Sequence, residues 1–120
     1  MQPDKSHMEE AKVSVIIRSA RSALGASQGD LAMELDVSQS SIARLERGVG
    51  TIPATVLLRA IRYFSGCGID IIGILEDDPQ IKFSESFFQE MVERERESKR
   101  QLAASAMKKR LGEKPEGSPK

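Results

Sequence analysis

The chain has 120 residues, 39% hydrophobic and 30% charged, and Lys+Arg and Asp+Glu both number 18, so its formal net charge is zero. That is room for one compact domain with appendages, and the balance argues against a polycation that coats any nucleic acid and against an acidic mimic. One cysteine, Cys67, excludes an intramolecular disulfide and a cysteine-built zinc site, and the lone His7 adds no ligand set, so no metal or cofactor is expected.

No apolar run approaches the roughly 20 residues of a membrane span, and the N-terminus has no signal-type apolar stretch, so the expected location is the cytoplasm. Residues 1–7 read as a disordered lead. Ser6-His7-Met8 has the look of a cloning remnant, with Met8 an alternative start. Ser6 and Glu9 have the spacing of a capping box. Val13, Ile16, Ile17, Ala20 and Leu24 then fall on one helical face. The spacing predicts helix 1 over about 8–24, with Gly25 as the left-handed residue past its end.

Ser27 and Asp30 mark a second capped start, and Leu31, Ala32 and Leu35 form the buried stripe of a helix over about 28–35. Asp36-Val37 is a turn. Ser38 caps a helix over about 39–47, with Ile42 and Leu45 inward and Gly48 as its stop. A fourth helix follows Pro53, with Val56, Leu57, Ala60, Ile61 and Phe64 as its core stripe and Gly66 as its stop.

The segment GIDIIGIL, residues 68–75, is rich in isoleucine and glycine and suits a short strand. A strand here has no evident mate within the chain, so it either pairs with the same strand of a second copy or forms an irregular fifth helical turn. Glu76-Asp77-Asp78-Pro79 reads as an acidic break between domains. Beyond it Phe83, Phe87, Phe88, Met91 and Val92 mark one apolar side of a long helix over about 84–110. The polar run ERERESKR reads as a solvated surface laced by i,i+4 pairs. Residues 111–120 read as a disordered tail. The expected fold is therefore all-α: a bundle of four to five helices over 8–75, then a helical dimerisation or partner extension over 76–110.

Two capped helices of about eight residues joined by a tight turn form a helix-turn-helix. In that motif the first helix braces across the DNA backbone and the second enters the major groove. Ala32, Leu35, Val37, Ile42 and Leu45 would fix the angle between them. The outward positions of the second helix are polar or small: Gln39, Ser40, Ser41, Ala43, Arg44 and Arg47. Over residues 12–66 there are seven basic and four acidic residues, so the neutral total hides a basic segment. No nucleophile stands with a base to activate it and no glycine-rich phosphate loop occurs, so no catalytic residue is expected and the chain does not read as an enzyme.

Residues 13–66 resemble the phage repressor/Cro family of helix-turn-helix domains, also called the xenobiotic-response-element family. The resemblance lies in Arg21, Ser27-Gln28, Leu31-Ala32, Val37-Ser38, Ile42, Leu45-Glu46-Arg47-Gly48 and Pro53. It implies that Gln39, Ser40 and Arg44 meet base edges. It also implies that Ser27, Gln28, Ser38, Ser41 and Arg47 lie at phosphates, and that Arg21 and Glu46 form an internal ion pair. Asp36 departs from the family pattern, which has glycine in the turn.

A two-fold operator requires two recognition helices about 34–36 Å apart, so a homodimer is expected, with Ile69, Ile71, Ile72, Phe87, Phe88 and Met91 as the candidate dimer or partner surface. Three functions follow from this reading. The chain is a repressor-type regulator of transcription on double-stranded DNA. Alternatively it is an antitoxin that controls its own operon and blocks a toxin with its C-terminal helix. In the third reading it is a protein-interaction adaptor that has lost DNA binding.

Overall fold

The computed structural model describes residues 4–48 and 53–112 of the chain. The expected disorder of residues 1–3 and 113–120 lies outside the described residues. Five helices and one hairpin follow in order: α1 (Lys5–Leu24), α2 (Gln28–Leu35), α3 (Gln39–Arg47), α4 (Ala54–Gly66), β1 (Ile69–Ile72), β2 (Gln80–Phe83) and α5 (Glu85–Arg110). Two compact units divide after Ser84.

In the first unit, helix boundaries follow from their caps. Ser27 Oγ accepts from the backbone N–H of Asp30, and Asp30 Oδ2 accepts from that of Ser27 at 2.9 Å, a reciprocal box that satisfies two otherwise orphaned donors of α2. These bonds hold the Asp30 carboxyl below its ordinary pKa. Ser38 Oγ accepts from Ser41 N at 3.1 Å and starts α3 in the same way. Gly48 ends α3 at φ +69°, the left-handed conformation that glycine adopts without a Cβ penalty.

Helix α1 starts three residues earlier than the sequence pattern indicated. Its cap is Asp4, whose Oδ1 accepts from His7 N at 3.0 Å, and not Ser6 with Glu9. Aspartate is at least as good a cap as serine, and Lys5–His7 offer no barrier to one more turn.

The core is apolar and continuous. Val13, Ile16, Ile17 and Ala20 of α1 are buried, as are Leu31, Ala32 and Leu35 of α2, Ile42 and Leu45 of α3, Ala60 and Phe64 of α4 and Ile69 of β1. Helix α3 packs on α1 and α2, α4 packs on α2, and β1 packs on α4. Burying each of the larger side chains, the valine, leucines, isoleucines and phenylalanine, contributes roughly 1.5–3 kcal/mol, which is what holds helices too short to persist alone.

The strand over Ile69–Ile72 finds its mate inside the chain. It pairs antiparallel with Gln80–Phe83 in the register Ile69↔Phe83, Asp70↔Lys82, Ile71↔Ile81, Ile72↔Gln80. Asp70 opposite Lys82 is a favourable cross-strand pair. The acidic run Glu76–Asp78 lies in the hairpin connection, and Lys12 Nζ donates to the Glu76 carbonyl at 2.7 Å. The division between units therefore falls at Ser84 rather than at the acidic run.

The second unit is α5, a 26-residue helix in which Phe87 is buried and every side chain from Val92 onward is exposed. Phe87 and Phe88 meet edge to face at 5.2 Å between ring centroids.

Candidate nucleic-acid interface

The outward face of α3 is built from the inside. Ile42 and Leu45 are buried, 0% and 2% exposed. Their spacing turns Gln39, Ser40, Ser41, Arg44 and Arg47 to solvent, and all five are exposed. Gln39 Oε1 lies close to the start of α2, where a Cβ added at Gly29 would stand 3.3 Å from it. The serines form a hydroxyl cluster at the mouth of α3: Ser38 Oγ stands 2.8 Å from Ser41 Oγ and 3.1 Å from Ser40 Oγ. No acidic residue occupies the first turn of α3. Its positive dipole end is thus left to attract an anion such as a phosphate.

Ser27, the cap of α2, is exposed, and Gln28 is half-buried. Gln28 is not a free surface amide. Its Nε2 donates to Glu46 Oε1 at 3.1 Å, which leaves its second amide hydrogen and its carbonyl for another ligand.

Glu46, only 3% exposed, is the hub of the site. Arg21 reaches it with two donors, Nε to Oε2 at 2.6 Å and Nη2 to Oε1 at 2.9 Å, the fork geometry that makes arginine–carboxylate pairs strong. Arg21 also donates to the Ala26 carbonyl at 2.8 Å, which ties down the loop before α2. The Glu46 carbonyl accepts from buried Ser14 Oγ at 2.6 Å and from Arg18 Nη1 at 3.5 Å. Burial pushes the Glu46 pKa up, but the bonds from Arg21 and Gln28 and the charges of Arg21 and Arg18 outweigh it, so the net shift is downward. Arg21 is shifted upward, chiefly by its bond to Glu46. Both stay charged, and α3 is bolted at its C-terminal end to α1 and α2.

Between α2 and α3, Asp36 adopts φ +55°, and Arg59 of α4 donates to the Leu35 carbonyl at 3.2 Å to hold the end of α2. Ser14 and Arg59 were not singled out by sequence pattern. Ser14 interrupts an apolar stripe, and that is the signal a buried backbone-bonding serine leaves.

Among the candidate dimer or partner residues, Ile69 is fully buried against α4 and Phe87 is 2% exposed, so neither offers surface to a partner. Pairing with β2 takes up an edge of β1 that a second copy would have needed, and packing on α4 covers the Ile69 side chain. Ile72 and Phe88 are 46% and 50% exposed, and Ile71 and Met91 are half-buried. Among the described residues no group of three or more His, Cys, Asp or Glu side chains is placed to hold a metal ion. No described helix is long and apolar enough to cross a membrane.

Compared with known families, residues 17–72 match the one described as helix-turn-helix. No curated protein and no solved structure gives a match.

Proposed function

We propose that the chain, whose residues 17–72 match the helix-turn-helix family, is a DNA-binding regulator of the Cro/C1 type that reads a specific duplex sequence and represses transcription as a homodimer. The observation that carries this reading is the exposed polar face of α3, held by a buried stripe and by the Glu46 clamp. Gln39 and Arg44 have the chemistry to pair bidentately with adenine and guanine, each worth about 1–3 kcal/mol of discrimination. Ser27, Gln28, Ser38, Ser41 and Arg47 surround that face with donors for phosphate. The half of Gln28 that Glu46 leaves unused is held in one orientation, which favours a fixed phosphate contact over a mobile one.

Footprinting on the DNA that flanks the gene tests this. Affinity should fall steeply between low and moderate salt as counterions are released. Arg44→Ala should relax preference at one base position, whereas Gln28→Ala should weaken all sequences alike. A chain with no footprint at any salt would be the adaptor instead. The antitoxin reading places a toxin on the C-terminal helix. It is tested by truncation after Ser84, which keeps the hairpin whole: toxin should be freed while residues 1–84 stay folded.

A further inference from the structure

Helix α5 carries a pattern that DNA binding leaves unused. Residues 85, 88, 92, 95, 99, 102, 106 and 109 share one stripe of the helix with the three-four spacing of a coiled-coil seam over about three and a half heptads, with Phe88, Val92, Leu102 and Ala106 apolar and Glu85, Glu95, Lys99 and Lys109 charged. Phe88, Val92 and Leu102 on this stripe are 50%, 45% and 70% exposed, and Glu95, Lys99 and Ala106 are exposed with them. The ion pairs on the helix, Arg96–Glu93 at 3.3 Å and Arg100–Glu97 at 3.6 Å, involve residues off this stripe, and Glu95 and Lys99 enter neither. Charge is also segregated along the helix. Residues 85–97 hold five glutamates and two arginines, whereas residues 99–110 hold five cations and no acid.

We propose that α5 pairs antiparallel with α5 of a second copy of this chain, the two-fold axis passing beside Glu97. This rests on the homodimer proposed above and gives it an interface. In that register every seam position meets a complement. Glu85 faces the partner's Lys109, Phe88 the partner's Ala106, Val92 the partner's Leu102, and Glu95 the partner's Lys99. Large side chains meet small ones and each carboxylate meets an ammonium. Parallel pairing in register does the reverse. It sets Glu95 on Glu95 and Lys99 on Lys99, crowds two Phe88 rings into one layer and leaves a void between two Ala106 methyls. It also aligns acidic half with acidic half and basic with basic. Polar residues within a seam select orientation at some loss of stability, which is the role this arrangement gives to the Glu95 and Lys99 layers. An antiparallel pair is isologous, the symmetry a two-fold operator requires.

The test is sedimentation equilibrium of the full chain, with crosslinking. Wild type should self-associate. Glu95→Lys and Lys99→Glu should each raise the dimer dissociation constant roughly tenfold, since two layers change from attraction to repulsion. Glu95→Lys/Lys99→Glu should return it near the wild-type value. In a Cys67→Ser background, chains with Val92→Cys should form a disulfide with chains carrying Leu102→Cys, and neither should link to itself. Self-linking at position 102 would establish a parallel pair and overturn the proposal. A dimer indifferent to both charge reversals would overturn it while leaving the homodimer in place, its contact elsewhere. A wild-type chain that stays monomeric at every concentration removes both. Loss of DNA affinity in Lys99→Glu with the free mass unchanged would assign the basic half to phosphates instead.

Discussion

Replacing Arg21 by alanine leaves the Glu46 carboxylate in place, 3% exposed, with one neutral donor, Gln28, where it had three bonds. Removing one member of a buried pair costs about 3–5 kcal/mol, because the remaining charge is uncompensated. The Arg21 side chain is 18% exposed, so water enters the space it leaves, and the Arg18 guanidinium stands nearby. Both place the loss near the lower figure, about 3 kcal/mol. At about 4–8 °C per kcal/mol for a unit of this size, the midpoint of thermal unfolding should fall by roughly 12–24 °C. Circular dichroism of the full chain measures it. Arg21→Ala/Glu46→Gln should recover about half of the loss, since no charge then stays buried. The clamp also has a pH signature. Because Glu46 is held below its ordinary value of 4.5, its contribution is complete above that pH and disappears as pH falls through the lower, folded-state value. Arg21→Ala should flatten that acid limb. A loss under about 1 kcal/mol in the single variant, or a double variant no more stable than the single, would refute the buried-charge reasoning.

Three further outcomes are expected. Ser38→Ala removes the α3 cap and should lower unfolding free energy by about 1 kcal/mol in urea titrations. Asp36→Gly relieves a non-glycine residue of a left-handed backbone, offset by glycine's freedom in the unfolded chain. A gain of about 0.5 kcal/mol should result, with tighter DNA binding as a negative charge leaves the turn. Tyr63 is the one tyrosine of a chain without tryptophan. Burial, with Cys67, Glu34 and Asp30 nearby, pushes its phenol up to about 12, so phenolate absorbance should rise near pH 12 rather than pH 10.

The helix-turn-helix was legible because its signals are local and agree with one another. Caps and stripes of period 3.6 fix the same boundaries for α2 and α3, and a stop glycine closes α3. The hairpin was not legible, because pairing is non-local. Gln80–Phe83 alone reads as the approach to a helix, and only the register Ile71↔Ile81 makes it a strand. Asp4 is masked as a cap in the sequence because Ser6 offers a competing box two residues on. Arg21 and Glu46 lie 25 residues apart, so spacing alone could not join them. A resemblance named the pair, and geometry added Ser14 and Gln28 to it.

The clamp on Glu46 secures α3 from behind, through side chains other than those proposed to meet base edges. Gln39, Ser40 and Arg44 take no part in that anchorage, so they form a lettering that can be rewritten without loosening the shelf beneath it. Variants at these three positions should change which sequence is bound while leaving unfolding midpoints nearly untouched. The domain is in that sense a scaffold on which new operators can be selected, provided Arg21, Glu46 and Ser14 are left alone.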